Sequence, residues 1–378
     1  MKKKIAIYSG GRADYHILKP LVKKLSLKNN TYLIAGPHHF AKEFGCTYKE
    51  IVNDQIKIFN KRKIHLDYKN ISVTEFIRSS VLRYQFLLKK INPKLTIVLG
   101  DRYEVLSFCL AAFFLNIKIA HFHGGEKTEG SFDDTIRHLI TKLSHYHFVC
   151  SEKYAQRVRQ MGEDQKNIYN FGSLGAFNTT KVKLIKKNEL KKIYKIEKKL
   201  KLILVTFHPE TNSNLAYKKQ ILILLKSLKK IKKTFIIFTS SNGDPGGTIF
   251  NQKIREFVKN NINCLYIPTL GKKLYFSFMK HCDLMIGNSS SGIIESPFFN
   301  TTVINVGSRQ TGRITAMNTY NVPLNLKKIY KISIKLLKIK KIKKVKNPFY
   351  KKNSLKLITK KIESLLKEKQ DKFKVFND

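Results

Sequence analysis

Acidic side chains are scarce in this chain, 26 Asp plus Glu against 73 Lys plus Arg, so the places where they cluster carry information. Gly100-Asp101-Arg102-Tyr103-Glu104 sets carboxylates beside a guanidinium. His121-Phe122-His123-Gly124-Gly125-Glu126 follows, and then Asp133-Asp134 with Arg137-His138. Carboxylates and imidazoles so arranged are the groups that move protons in general acid–base catalysis. A helix N-cap explains one Asp at 133–134 comfortably and two less so, while Asp101 beside Arg102 also fits a plain helix-start ion pair. Strand alternation sends His121 and His123 to the same side, yet no third ligand has metal-like spacing, and no metal is expected.

A second set of residues suits anions. Ser9-Gly10-Gly11-Arg12-Ala13-Asp14-Tyr15 lets backbone approach a ligand and then opens a helix. It is not G-x-G-x-x-G, so a dinucleotide is not expected. Asn288-Ser289-Ser290-Ser291-Gly292 offers hydroxyls and backbone N–H groups at a helix start, with Arg309 and Arg313 after the next strand. Glu295, on the first turn, would hold ribose hydroxyls or merely complement the helix dipole. His208-Pro209-Glu210 supplies a phosphate donor, an acid–base group, or an ordinary helix-start histidine. His145 and His147 read as packing residues.

The elements that position these groups alternate. Short apolar runs at 5–9, 31–35, 95–99, 117–122, 146–150 and 168–171 are interleaved with helical-period segments at 17–27, 105–115, 133–144 and 152–161. The pattern restarts at 202–207 and continues through 235–239, 264–267 and 284–286 to a final strand at 303–306, with a helix expected over 289–299. Such alternation predicts α/β architecture: two doubly wound, Rossmann-like domains with parallel sheets and sites at strand carboxyl ends facing an interdomain cleft. The predicted domains are 1–178 and 190–325, with a junction near 175–190 and a Lys-rich helical tail over 326–378.

The formal charge of +47 invites a nucleic-acid reading. However, 62 of the basic residues are Lys and 11 are Arg, and Ile, Asn, Phe and Tyr are abundant while Trp is absent. That is the bias of an A/T-rich genome, and Lys suffices wherever a bare solvated charge is enough. No nucleic-acid partner is expected. Hydrophobic content of 42% excludes general disorder. No apolar run reaches a membrane span or signal peptide, and five scattered Cys suit a reducing cytoplasm, so a cytoplasmic protein with no membrane partner is expected.

Taken in order, the motifs SGGRADY, GDRYE, HFHGGEKTEGSFDDTIRH, FGSLGAFN, HPET, SNGD, GNSSSGIIE and INVGSRQTGR resemble the UDP-N-acetylglucosamine 2-epimerase family, in its hydrolysing bacterial branch from sialic-acid-type pathways. The resemblance spans about residues 1–320 and implies a two-lobed glycosyltransferase-like (GT-B) fold. It implies a UDP-sugar substrate, no cofactor, and a homo-oligomer, dimer or tetramer. It assigns catalysis to Asp101, Glu126 and Asp133, with His123 and Asp134 as alternatives. Where many relatives carry Glu in H-x-E-G-G this chain has His123, and loop length leaves 133 and 134 exchangeable. Arg12, His16, Arg102, His208, Asn242, Ser289, Ser290, Gly292, Glu295, Arg309 and Arg313 are the implied UDP-binding set.

The implied reaction is elimination of UDP to a 2-acetamidoglucal followed by water addition, releasing N-acetylmannosamine from UDP-N-acetylglucosamine. The alternative substrate is a UDP-2,4-diacetamido-2,4,6-trideoxyhexose of the legionaminic-acid route. A non-hydrolysing epimerase fits less well, since the first loop reads GRADY rather than GTRPE. A GT-B glycosyltransferase would not need the acids at 101, 126 and 133.

Overall fold

The computed structural model describes residues 2–42, 45–60, 71–129, 131–241, 245–339, 344–368 and 374–377. The chain forms two compact units. The first comprises Met1–Glu126, Asp133–Asn178 and Phe349–Asp378; the second comprises Lys127–Phe132 and Thr179–Pro348.

In the first unit the order is β1 (Lys4–Ser9), α1 (Arg12–Ser26), β2 (Asn30–Ala35), α2 (Tyr48–Asn53), α3 (Val73–Ile91), β3 (Leu95–Leu99), α4 (Tyr103–Phe114), β4 (Lys118–Phe122), α5 (Asp133–Leu143), β5 (Tyr146–Val149), α6 (Glu152–Gln160), β6 (Ile168–Asn170) and α7 (Leu174–Thr179). The six strands form one parallel sheet in the order β2-β1-β3-β4-β5-β6. All five residues of β3 are buried, as a strand covered by helices on both faces requires. One face packs Ile5, Ile7, Leu18, Leu33, Ile97 and Phe122; the other packs Ala6, Tyr8, Tyr84, Val98, Phe108 and Ile119.

The second unit runs α8 (Lys187–Ile193), β7 (Lys201–Thr206), α9 (Tyr217–Lys229), β8 (Thr234–Phe238), α10 (Gly247–Lys259), β9 (Cys264–Tyr266), α11 (Gly271–His281), β10 (Leu284–Gly287), α12 (Ser291–Ile294), β11 (Val303–Val306), β12 (Thr319–Val322) and α13 (Leu326–Lys338). Its parallel sheet has the order β12-β11-β10-β7-β8-β9. A last helix, α14 (Ser354–Leu365), belongs to the first unit.

Both sheets are doubly wound, and each has one point where strand order reverses: between β1 and β3, and between β7 and β10. There the loops leaving neighbouring strands diverge and open a crevice for ligands. Those loops are 10–11 and 100–102 in one unit and 207–216 and 288–290 in the other. The clusters at 9–15, 100–104, 208–210 and 288–292 therefore lie at the two reversal points.

The structure also departs from the sequence reading. Helix α3, nineteen residues long, was not anticipated, although Ser72 and Glu75 form a capping box. Beyond the expected final strand at 303–306, β12 adds an edge whose polar residues conceal its strand character. The helix expected over 289–299 is only four residues long; Ser296–Phe299 continues as a 3-10 turn with Pro297 near its start. The 326–378 segment is not one appendage, because its first part lies in the second unit and Phe349–Asp378 lies in the first. Ile358, Ile362, Leu365 and Leu366 are core residues there. No helix among the described residues is long and apolar enough to cross a membrane.

Candidate active site

At the first unit's reversal point, Asp101 lies two residues past the end of β3 and accepts a hydrogen bond from Nη2 of Arg137 on α5. Arg137 is 1% exposed and makes two further bonds, from Nη1 to the Glu126 carbonyl at 2.9 Å and to Asp134 Oδ1 at 3.3 Å. One buried guanidinium thus fixes the acid after β3, the loop after β4 and the first turn of α5. Asp133 is also buried. The second Asp, beyond what a cap requires, is accounted for by the Arg137 contact.

His123 and Glu126 form a pair, with Nδ1 and Oε1 2.9 Å apart and both residues buried. His123 has φ of 67°, a left-handed conformation uncommon for a residue with a side chain. At Gly125, φ is 74° and an added Cβ would meet the Tyr154 carbonyl at 2.4 Å, so this turn demands glycine. Burial works against protonation of His123, but Cys150 and Glu126 outweigh it and raise its pKa well above the ordinary value. His123 Nε2 lies 3.5 Å from Ser173 Oγ in the FGSLGAFN segment. His121 takes different partners: its Nε2 faces the Gly100 carbonyl at 2.8 Å and its Nδ1 faces Thr141. Burial holds it neutral, with a pKa of about 3.

Arg102 is held by Glu104, through Nη2 at 2.9 Å and Nε at 3.2 Å, and His38 Nδ1 lies 3.0 Å from the same carboxylate. Burial would raise the Glu104 pKa, but Arg102 and His38 outweigh it and keep it ionised. Asp14 accepts the Gly10 N–H at 3.0 Å, and burial pushes its pKa up to about 6 despite Arg102 nearby. Arg12, partly buried, opens α1 on the same loop. His16 is turned to Glu50 of α2, 2.6 Å from its Oε1.

At the second unit's reversal point, Asn288 clamps the loop after β7: it accepts the His208 N–H at 2.7 Å and donates to the His208 carbonyl at 2.9 Å. Gln310 donates to the Asn288 carbonyl at 2.7 Å. Glu210 accepts backbone N–H bonds from Ser308 at 2.6 Å and Arg309 at 3.3 Å, fixing the loop that carries Arg309 and Arg313. Gly287, with φ of 148°, passes so close to Thr206 that an added Cβ would sit 1.9 Å from its carbonyl oxygen. Ser289, Ser290 and Ser291 are partly buried; Ser291 Oγ bonds Tyr275 at 2.5 Å and Ser289 at 3.0 Å, while Gly292 and Glu295 are buried. Because α12 is so short, its dipole offers little, and the local donors are hydroxyls and loop amides. Asn242 lies outside the described residues.

Reasoning from sequence alone did not recognise Arg137 as the tie between acids, nor Glu104, Glu210 and Asn288 as the braces of their loops. A rare Arg three residues after an acid pair was the available signal for the first. Cys150 joins His123 and Glu126 with ligand-type atoms all within 4.8 Å of one another, so a third metal-competent group does exist, brought from the next strand. His147 is more than packing, since its Nε2 lies 2.9 Å from Glu163, which also meets Lys142 and Lys374.

The UDP-N-acetylglucosamine 2-epimerase family model matches residues 23–363. The chain is 37% identical over 328 residues, 86% of its length and 85% of the relative's, to the GDP/UDP-N,N'-diacetylbacillosamine 2-epimerase (hydrolyzing) of Campylobacter jejuni. It is 34% identical over 386 residues to polysialic acid biosynthesis protein P7 of Escherichia coli, covering 100% of this chain and 97% of the relative. Among solved structures it shares its fold with the UDP-GlcNAc 2-epimerase of Methanocaldococcus jannaschii in complex with UDP-GlcNAc and UDP, with a TM-score of 0.79 at 18% identity over 96% of this chain and 100% of that one.

Proposed function

The chain belongs to the UDP-N-acetylglucosamine 2-epimerase family, and from that premise we propose that it is a hydrolysing 2-epimerase. It converts a UDP-linked 2-acetamido sugar and water into UDP and the free sugar inverted at C2. We assign the sugar chemistry to the first unit's acids and UDP binding to Arg12, Arg102, His208, Ser289, Ser290, Gly292, Glu295, Arg309 and Arg313.

The C2 proton is not acidic in the ground state. As the bond from C1 to the diphosphate oxygen breaks, positive character at C1 makes that proton removable. Asp101, pinned by Arg137 beside Asp133 and Asp134, takes the proton as the UDP oxygen leaves with the C1–O electron pair, giving a 2-acetamido glycal. Cations at the diphosphate stabilise the departing charge. Water then adds at C1 while C2 regains a proton on the opposite face. The observation that supports this reading is the gathering of buried ionisable groups after neighbouring strands: the His123–Glu126 contact at 2.9 Å and the Asp101 carboxylate bound by Arg137.

Two sugars fit. The diacetamido trideoxy sugar is favoured by the 37% identical relative, whose name carries that activity. N-acetylglucosamine is favoured by the relative named for polysialic acid biosynthesis. Incubation with each UDP-sugar in deuterated water, followed by NMR, separates them: the substrate yields UDP and a free C2-inverted sugar bearing deuterium at C2. Release of the sugar without deuterium at C2 would sink the elimination, and return of an intact UDP-sugar would sink the hydrolysis.

A further inference from the structure

We propose that His123, Glu126 and Cys150 form a binding site for a divalent cation of the zinc class. Cys150 directly follows β5, the neighbour of β4, whose end carries His123 and the turn to Glu126. Their ligand atoms lie within 4.8 Å of one another, and the three residues are 8%, 1% and 1% exposed. Bonds of about 2.0–2.3 Å around a tetrahedral zinc ion place ligand atoms about 3.3–3.7 Å apart. The 2.9 Å contact between His123 Nδ1 and Glu126 Oε1 therefore has to open by a few tenths of an ångström, which side-chain rotation supplies.

The donor set decides the metal. One nitrogen, one sulfur and one carboxylate suit zinc and its borderline-soft neighbours, whereas magnesium and calcium want a shell of oxygens. A thiolate and a carboxylate neutralise a doubly charged ion, which a buried site requires. The surrounding contacts already orient two of the ligands: Arg137 Nη1 donates to the Glu126 carbonyl at 2.9 Å, and Ser173 Oγ lies 3.5 Å from His123 Nε2. Three protein ligands leave a fourth position for water or a substrate oxygen. Because the ion takes His123 and Glu126, it also blocks turnover; this consequence rests on the acid–base roles proposed above, whereas binding does not.

The test uses the full-length, metal-free protein and cobalt(II) as a spectroscopic probe. A thiolate-to-cobalt charge-transfer band should appear in the wild type, saturate at one ion per chain and be displaced by zinc. Cys150→Ser and Cys150→Ala should both abolish the band, and Cys264→Ser should keep it. Zinc should raise the melting temperature of the wild type and not of the Cys150 variants. Loss of a ligand should weaken zinc binding by more than the roughly 10- to 100-fold typical of an outer partner. No band in the wild type, or a band that survives both Cys150 substitutions, overturns the site. Zinc that binds at Cys150 without chelator-reversible inhibition overturns the inhibitory role and, separately, counts against the acid–base assignment.

Discussion

The two reversal points share a topology and differ in how they are built. In the first unit, charged side chains spend themselves on one another: Arg137 on Asp101 and Asp134, Glu126 on His123, Glu104 on Arg102 and His38. In the second, amide groups shape the loops, with Asn288 clasping His208, Gln310 holding Asn288, and one carboxylate, Glu210, gathering backbone N–H groups. Under the function proposed above the difference has a reason: proton transfer needs ionisable groups held in place by other charges, whereas a diphosphate needs a fixed backbone and cations.

If the first site is a charge lattice, removing its buried cation should do the greatest damage. Arg137→Met is expected to lower turnover at least about 100-fold and stability by about 3 kcal/mol. That is the lower end for a broken buried pair, since the Asp101 side chain keeps 22% exposure. Arg137→Lys should recover part of the stability and little of the turnover, because a point ammonium lacks the planar fork that spans Asp101, Asp134 and the Glu126 carbonyl. Turnover assays and urea unfolding read both. Full activity in Arg137→Met would end the lattice description.

If the second site works through backbone, Glu210→Gln should weaken binding and spare chemistry. The Gln oxygen keeps one acceptor but loses the charge that strengthens the bonds from Ser308 and Arg309. KM for the UDP-sugar is expected to rise about 10-fold, from the loss of about 1–1.5 kcal/mol, with kcat nearly unchanged. A fall in kcat at constant KM would erase the distinction between the two sites.

The smallest effect sharpens the comparison through pH. Asp14 has its pKa raised to about 6 by burial, against about 3.9 in an unfolded chain. Between those values the folded state binds more protons than the unfolded state, so this group's contribution to stability falls as pH rises through that window. Asp14→Asn should flatten that part of a stability-versus-pH curve measured by urea unfolding. A slope that survives the substitution assigns the proton elsewhere.

Much of this was legible in the sequence because strands covered on both faces are unmistakably apolar, and the polar clusters follow them immediately. The GDRYE, HPET and GNSSSG motifs land at the reversal points for that reason. What escaped notice depends on tertiary distance. Arg137 reaches back across the chain to Asp101, and Cys150 meets His123 only because β4 and β5 are paired. The shortness of α12 lies with Pro297, whose effect on the serine turn upstream is not visible in a search for capping residues. The contact between His123 and Glu126 was equally hidden, since it depends on three residues of turn bringing the two together around Gly125.

The passage of the chain out of the first unit and back again bears on its synthesis. Leu18, Leu21 and Ile97 share their core with Ile358, Ile362, Leu365 and Leu366, and the Lys374 ammonium donates to the Lys142 and Ser144 carbonyls at the end of α5. A ribosome releases those last residues only after the whole second unit has emerged. The first unit, although translated first, can complete its core only after the residues of the second unit have been made. A chain stopped thirty residues short would leave that core open to water rather than simply lose a charged fringe.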